Sequence, residues 1–457
     1  MRFRIWMGVA LVALAVPAAL LAQRDSTITV ASYLEYETVA EPQVSPDGRH
    51  IIYTRRWVNT RTDQWETALW VMDADGTRQR FLTNGGGARW SPDGTRILYV
   101  ATGQPAGAQV FVRWMDAEGS TSQITRADHP PLNPDWAPDG RSIVFGGFVP
   151  KPTRWTVPLP AAPAGASWDE GPRIIDDLHY RQDYRGLTKR GFVHLFSVSA
   201  DGGSARQLTF GDWNVGARFD GLEAGVGFSF TPDGRNIVFD GWRGDWDAVY
   251  QRSHLYVLDI ASGAVRQLTP ADGNWTSPKV SPDGRWVAFT GYEAQAVTYS
   301  QPDLHVIRLD GTGMRNLSDA VDRLFGGLMW AADNSGVYAT VTSHGMSNVR
   351  FAPLSGAIRD VTTGEHLLSL ASVATGREPF GVGIRTAGDA PPDVVRFPLR
   401  SGAVTQLTQV NADFLAGRTL GRQQELWFNS KDGTRVQGWL VLPPSYDSSK
   451  RYPLLLE

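Results

Sequence analysis

The sequence has no cysteine among its 457 residues. Disulfide bonds, thiolate nucleophiles and lipid anchors attached through cysteine are therefore excluded. The eight histidines show no HExxH or other paired spacing typical of zinc, and we expect no metal or other cofactor. A basic surplus is also lacking, since the formal net charge is −3. Because nucleic-acid-binding proteins normally have such a surplus, nucleic acid is not an expected partner.

The only long apolar run lies at the N-terminus. Arg2 and Arg4 precede the apolar residues 5–21, and Ala22 supplies a small residue before a cleavage point. These features predict a signal peptide over residues 1–22 and an exported protein, either periplasmic or secreted. The alternative is an uncleaved anchor, because a run of about 17 residues is near the lower limit for a membrane span. After cleavage we expect no membrane association.

A four-residue turn recurs through the chain in five near-copies and one divergent copy. The copies are Ser45-Pro46-Asp47-Gly48, Ser91-Pro92-Asp93-Gly94, Ala137-Pro138-Asp139-Gly140, Thr231-Pro232-Asp233-Gly234, Ser281-Pro282-Asp283-Gly284 and Ala331-Ala332-Asp333-Asn334. Proline presets φ, aspartate bonds its own backbone, and glycine accepts the left-handed conformation that closes the turn. A short β-branched or aromatic strand follows each copy. Such repeats predict an array of small sheets.

Each repeat ends in a Leu-Thr-like dipeptide, and there are seven such endings. They are Leu82-Thr83, Ile124-Thr125, Leu208-Thr209, Leu268-Thr269, Leu317-Ser318, Val361-Thr362 and Leu407-Thr408. The seventh unit thus keeps its outer strands without the turn marker. Four strands per unit and seven units predict an all-β, seven-bladed β-propeller over residues 23–411. We interpret the tryptophans before the turns as packing between blades.

One interval between these endings, from Thr125 to Thr209, is about twice as long as the others, and insertions into repeats map to loops on one face. The excess lies in residues 149–190. We therefore predict an inserted loop there, on a face that is often the working face of such proteins. A smaller excess lies in residues 241–252, inside the fourth blade.

The turns and their flanks resemble TolB-like propeller repeats, and several segments resemble the prolyl oligopeptidase family of serine peptidases. Residues 39–48 are similar to the start of that family's propeller. Residues 428–444, FNSKDGTRVQGWLVLPP, are similar to the first hairpin of its catalytic domain, and residues 451–456 resemble the strand before its oxyanion loop. Residues 180–186 resemble a segment of the bacterial dipeptidyl aminopeptidase and acylaminoacyl peptidase branch. The resemblance implies that an incomplete α/β-hydrolase domain occupies residues 412–457.

The family's nucleophile elbow, G-x-S-x-G, does not occur in this sequence. Gly227-Phe228-Ser229 and Gly345-Met346-Ser347 both lack the closing glycine. Its oxyanion loop is also missing, and its Asp and His would lie beyond Glu457. Because a serine without base and oxyanion donors has little activity, we expect this chain alone to be inactive, with no catalytic residue. It would be the substrate-gating propeller of an exported exopeptidase whose partners are short peptides; whether the stop is natural stays open.

Five residues of the insertion are candidates for substrate binding. Asp169 and Glu170 form an acidic pair, of the kind that anchors a substrate amine in the dipeptidyl peptidase branch. Arg181, Tyr184 and Arg185 could hold a substrate carboxylate or carbonyl. The alternatives, which we favour, are a solvated loop pair for the acidic residues and a surface cluster paired with neighbouring aspartates for the others.

A competing interpretation is a non-enzymatic, TolB-like periplasmic propeller that binds protein partners. The hydrolase-like run from Asp432 onwards argues against it, because a stand-alone propeller has no need of such a hairpin. The sequence leaves homo-oligomerisation and peptide specificity open. Residues 440–442 and 454–456 are apolar, and without the rest of their sheet we expect them to promote aggregation.

Overall fold

The computed structural model describes residues 28–152, 155, 158–169, 172, 174–176, 178, 180–182, 186–216, 226–244, 252–295 and 300–457. The predicted signal peptide lies outside these residues. Strands dominate the described chain, whose helices are a 3-10 helix, Ala31–Glu35, and one turn of α-helix, Ala412–Leu415 (α1). No helix in this part of the chain is long and apolar enough to cross a membrane.

Seven antiparallel units, the blades, follow one another along the chain, and one parallel pair, Ser347 with Leu367, joins the sheets of blades 6 and 7. Blade 1 contains Thr38–Val44 (β1), His50–Asn59 (β2), Gln64–Asp73 (β3) and Arg80–Asn84 (β4). Blade 2 contains Gly86–Trp90 (β5), Arg96–Gly103 (β6), Gly107–Trp114 (β7) and Thr121–Gln123 (β8). Blade 3 contains Leu132–Trp136 (β9), Ser142–Pro150 (β10), Gly191–Ser199 (β13) and Arg206–Gln207 (β14), with the small hairpin Arg181–Gln182 (β11) and Gly186–Leu187 (β12) inserted.

The remaining blades repeat this plan. Blade 4 contains Asn214–Val215 (β15), Phe228–Phe230 (β16), Asn236–Trp242 (β17), His254–Asp259 (β18) and Val265–Gln267 (β19). Blade 5 contains Gly273–Val280 (β20), Trp286–Glu293 (β21), Asp303–Arg308 (β22) and Arg315–Asn316 (β23). Blade 6 contains Leu324–Trp330 (β24), Gly336–Ser343 (β25), Met346–Pro353 (β26) and Arg359–Asp360 (β27). Blade 7 contains Leu367–Ala374 (β28), Phe380–Ala387 (β29), Ala390–Pro398 (β30) and Thr405–Gln406 (β31), and a separate hairpin, Gln423–Asn429 (β32) and Arg435–Val441 (β33), follows.

The first strands of the blades contact one another around a ring. The contacts join β1 to β5, β5 to β9, β16 to β20, β20 to β24, β24 to β28, and β28 back to β1. Between blades 3 and 4, the amide of Asn133 donates to the carbonyl of Val226 at 2.8 Å. These strands therefore line a central channel, and the predicted all-β, seven-bladed propeller is confirmed.

The repeated turn is built by side-chain hydrogen bonds, as the copy at residues 91–96 shows. Ser91 Oγ donates to Asp93 Oδ1 at 2.6 Å, and the amide of Thr95 donates to the same oxygen at 3.0 Å. The amide of Arg96 in turn donates to Ser91 Oγ at 2.9 Å. In the divergent sixth copy, Asn334 takes the glycine position with φ 61°, a conformation that asparagine tolerates.

The threonine of the Leu-Thr endings locks the outer hairpin of the blade. Thr209 Oγ1 accepts the amide of Leu195 at 3.0 Å and lies 3.1 Å from Nδ1 of His194. In six blades, a polar side chain contacts the hydroxyl of the ending's threonine or serine, as His194 does. These residues are Gln109, His194, His254, Asp303, Asn348 and Asp393. His194 and His254 thus serve the fold, and burial lowers the pKa of both, which favours neutral rings.

Tryptophans before the turns join neighbouring blades. Trp136 is 5% exposed, and its Nε1 donates to the carbonyl of Arg89 at 3.0 Å. Trp90 and Trp330 make the same bond to the carbonyls of Gln43 (3.2 Å) and Lys279 (2.8 Å). The interpretation of these tryptophans as packing between blades therefore agrees with the structure, which adds a directed hydrogen bond to the apolar contact.

Blades 7 and 1 close the ring without exchanging a strand, since blade 1 uses only β1–β4 and blade 7 only β28–β31. The amide of Val44 donates to Ser372 Oγ at 2.8 Å, and the side chain of Gln79 donates to the carbonyl of Leu407 at 2.8 Å. One apolar cluster includes residues of both blades, such as Ile51 of blade 1 and Val382 of blade 7. Side-chain packing thus replaces main-chain pairing at this seam.

Candidate functional site

The two ends of the propeller differ in how the strands are connected. The connections between first and second strands lie at one end, which we call the turn face; they comprise residues 45–49, 91–95, 137–141, 231–235, 281–285, 331–335 and 375–379. The connections between second and third strands lie at the other end, the loop face; they comprise residues 60–63, 104–106, 151–190, 243–253, 294–302, 344–345 and 388–389. The turn-face connections are uniform, whereas all the long connections lie on the loop face. The loop face is therefore the candidate working face.

The β32–β33 hairpin lies against the loop face of blade 6. Gln437 donates through Nε2 to the carbonyl of His344 at 2.9 Å, and the His344 ring meets Trp427 edge-on with 5.6 Å between centroids. Trp439 lies beside Gly345 in the same turn. The hydrolase-like run recognised in the sequence is thus a hairpin that contacts the side of the propeller carrying the insertions.

The segment between the propeller and this hairpin contacts the seam of blades 7 and 1. Asn411 exchanges two hydrogen bonds with the backbone of Glu37, at 2.9 and 2.8 Å. Phe414 meets Tyr36 edge-on at 6.0 Å, and Arg418 Nη2 lies 2.9 Å from a carboxylate oxygen of Glu35. The start of the predicted second domain, residues 412–418, is therefore attached to blade 1.

A polar cavity of about 860 Å³ lies between the loop face of blades 6 and 7 and the hairpin. His366, Glu365, Asp389, Arg422 and Trp439 are among its lining residues. Nε2 of His366 lies 3.0 Å from Asn348 Oδ1, and burial, reinforced by Arg385, lowers the pKa of the ring. The cavity presents charged groups of both signs with a neutral imidazole, which suits the ends and carbonyls of a peptide.

Two of the predicted site residues, Asp169 and Arg181, lie in the insertion on the loop face, and both are exposed. Glu170, Tyr184 and Arg185 fall outside the described residues. A neighbouring aspartate, Asp176, lies 3.3 Å from Arg190 at the base of the insertion, so this carboxylate is paired with a different arginine from those proposed.

Sequence reasoning missed a set of charged residues on the channel wall. Arg89, Asp135 and Lys279 occupy the same position in blades 2, 3 and 5, two residues before the first residue of the repeated turn. A charged residue at the same position before the turn in three repeats was the available signal. It could not be used, because the sequence alone does not show that the three strands share one channel.

The sequence Asp73-Ala74-Asp75-Gly76 superficially resembles a calcium-binding loop, but it forms a hairpin turn. The amide of Gly76 donates to the carbonyl of Asp73 at 2.9 Å, and Asp75 Oδ1 accepts the amide and hydroxyl of Thr77. Among the described residues, no group of three or more acidic or histidine side chains is placed to hold a metal ion.

Comparison with known proteins identifies peptidases as relatives, although no family model matches the chain. The uncharacterized peptidase YuxL of Bacillus subtilis is 27% identical over 447 residues, which cover 92% of this chain and 64% of YuxL. Dipeptidyl-peptidase 5 of Porphyromonas gingivalis is 26% identical over 446 residues, covering 94% of this chain and 62% of that protein. The chain thus spans less than two thirds of the length of these relatives.

Solved structures agree in fold. Acylaminoacyl peptidase of Pyrococcus horikoshii superposes with a TM-score of 0.68 at 16% identity, covering 90% of this chain and 58% of that one. The β-propeller domain of the trilobed protease of Pyrococcus furiosus, described as having an open velcro topology, has a TM-score of 0.56 at 14% identity, covering 83% of this chain and 97% of that domain. The chain is thus similar in sequence to peptidases, and it shares its propeller fold with an acylaminoacyl peptidase and with the propeller domain of a protease.

Proposed function

We propose that this chain forms the substrate-gating propeller of an exported serine exopeptidase, which removes dipeptides or blocked residues from short peptides. The observation that carries the proposal is the β32–β33 hairpin on the loop face, held by the Gln437–His344 hydrogen bond. Relatives named as peptidases extend well beyond the length that this chain covers. In the proposal, the catalytic domain begins with this hairpin and covers the loop face.

The propeller's part in this reaction is to restrict access. In the proposal, a substrate reaches the covered cleft through the channel or beside the insertion, and both routes exclude folded proteins. The insertion carries Asp169 and Arg181 at its exposed surface, where charged side chains can bind the amine or carboxylate of a peptide. The cavity beside His366 provides a second polar surface next to the hairpin. Short, unfolded peptides are therefore the proposed substrates.

The chain by itself is proposed to be inactive. Its sequence has no G-x-S-x-G elbow, so no serine is placed on the strained turn that the family uses for its nucleophile. Neutral, buried His194 and His254 are committed to Thr209 and Thr269 of the fold and do not offer an alternative base. Export is proposed from the basic and apolar N-terminal residues 1–22.

The test is hydrolysis of a dipeptide linked to a chromogenic leaving group. The protein purified from its own source should hydrolyse it, a serine-directed phosphonate should abolish the activity, and the 457-residue chain expressed alone should show none. Intact mass of the source protein is the control, and we expect an excess on the order of 25 kDa, one ordinary domain. A source protein that matches the mass of this chain and lacks activity would instead support the partner-binding propeller.

A further inference from the structure

The channel carries three charged side chains at its turn-face end. Arg89 in β5, Asp135 in β9 and Lys279 in β20 line a cavity of about 410 Å³, together with Gln43 and Met329. This cavity includes residues of the repeated turns and lies away from the β32–β33 hairpin. It is therefore separate from the polar cavity beside His366 on the loop face.

The backbone that carries these side chains is fixed by the next blade. Trp136 Nε1 donates to the carbonyl of Arg89, and Trp330 Nε1 donates to the carbonyl of Lys279. Each cationic residue is thus held at its main chain by an indole, and each side chain leaves from the inner edge strand of its blade. Rigid elements of this kind place side chains more precisely than loops do.

Most hydrogen-bond donors of the two cations are unused within the described chain. The Arg89 guanidinium donates to the carbonyl of Ala88 at 2.9 Å, and neither Arg89 nor Lys279 has an ion-pair partner within 4.0 Å among these residues. Asp135 accepts the amide of Trp136 at 2.9 Å. The nearby Asp240 carboxylate is buried and accepts the amides of Gly227 (3.1 Å) and Ser277 (2.9 Å).

Arg89, Asp135 and Lys279 interact electrostatically with one another. Burial lowers the pKa of Lys279, and Arg89 lowers it further, while Asp135 and Asp240 act in the opposite direction. Burial raises the pKa of Asp135, opposed by Arg89 and Lys279. Charges on the channel wall are screened less than charges on an open surface, so an added anion would be favoured by both cations.

We propose that this end of the channel is an oxyanion-binding site, in which Arg89 and Lys279 together hold a carboxylate or phosphate group. The arginine offers a planar pair of donors and the lysine a compact positive charge, a combination that suits both oxyanions. Asp135 lies between them in the blade order and opposes the bound anion. The site would bind small anions that enter from the turn face. This proposal does not depend on the proposed peptidase function.

The experiment is calorimetric titration of the full chain with three probes: inorganic phosphate, N-acetyl-dialanine with a free carboxylate, and the amide of the same peptide. Phosphate or the free acid should bind and the amide should not. Binding of the free acid identifies a peptide carboxylate as the ligand, whereas binding of phosphate alone identifies free phosphate. Failure of both anions to bind would overturn the proposal.

Two variants of opposite charge change test whether these residues bind the anion. Lys279→Met should weaken anion binding about tenfold, because one nearby positive charge is lost. Asp135→Asn, which keeps an oxygen for the Trp136 amide, should tighten it. Arg235→Gln removes an exposed arginine of the turn face outside the cavity and should change nothing. Equal affinity of the Lys279→Met and Asp135→Asn variants, or weaker binding in both, would show that the anion binds elsewhere. If Lys279→Met does not fold, the affinity of Asp135→Asn alone tests the proposal.

Discussion

The turn face and the loop face of this propeller contrast in regularity. On the turn face, Ser-Pro-Asp-Gly turns follow one another around the ring, and a Cβ on Gly94 or Gly140 would lie 3.5 Å from the proline of the preceding turn. The loop face carries connections that range from two residues, 344–345, to the forty of 151–190. The same four-stranded unit therefore ends in a repeated structure on one side and in unrelated segments on the other.

This difference separates the residues that hold the ring together from those that are free to acquire a function. Substitution on the turn face disturbs contacts between blades, because each turn packs on its neighbour. Substitutions in the loop-face insertion affect solvent-exposed side chains, where most changes have small effects on stability. Four predictions follow this division, beginning with the largest effect.

A matched pair of tryptophans gives the sharpest contrast. Trp136→Ala should lower the free energy of unfolding by about 3–5 kcal/mol, because a buried indole and its bond to Arg89 are lost. Trp155→Ala, in the insertion and 69% exposed, should change it by less than about 0.5 kcal/mol. Chemical denaturation followed by circular dichroism measures both, and similar losses in the two variants would contradict the division between faces.

Two glycines in the left-handed conformation test the packing of the turns. Gly284 has φ 72° and its added Cβ would lie 3.2 Å from Pro232, whereas Gly165 in the insertion has φ 81° and no atom within 4 Å. Backbone strain alone costs about 1–2 kcal/mol at either site. Gly284→Ala should therefore be destabilised by about 1 kcal/mol more than Gly165→Ala, since only the former crowds a neighbour. The midpoints of urea unfolding compare the two variants. A larger loss of stability in Gly165→Ala would contradict the prediction.

Removing the hairpin tests how far the loop face supports the fold. A chain ending at Gly421 loses the exposed Leu454, Leu455 and Leu456 and should aggregate less at unchanged stability. A chain ending at Asn411 also loses the contact of Arg418 with Glu35 and should unfold about 1 kcal/mol more easily. Light scattering and thermal unfolding of the two truncations against residues 23–457 separate these effects, and equal solubility of all three would refute the aggregation prediction.

Acid sensitivity gives the smallest effect. The hydrogen bond from Ser91 lowers the pKa of Asp93, so the carboxylate stabilises the fold above its unfolded pKa, and this stabilisation is lost as pH falls through the folded pKa. Asp93→Asn should lower stability near pH 7 by about 0.5 kcal/mol or less, with the difference vanishing in strong acid. Unfolding measured from pH 7 to pH 2 detects it. A difference that grows on acidification would have the wrong sign.

The turn and the Leu-Thr ending allowed the fold to be predicted, because each is a local device whose chemistry lies within a few residues. The closure of the ring was not accessible in the same way: Glu37 and Asn411, which bond to each other, are 374 residues apart. The role of His194 required knowing that Thr209 lies beside it in the hairpin. The cluster of Arg89, Asp135 and Lys279 required the ring itself, since three separate blades bring these residues together.

Hydrogen exchange, compared between the protein from its own source and the 457-residue chain, tests most directly whether the loop face carries a further domain. We predict stronger protection in the source protein at residues 344–346 and 423–441, where the hairpin meets blade 6, and unchanged exchange in the turn at residues 91–95. Equal exchange on both faces in the two proteins would contradict the assignment of the loop face as the working face.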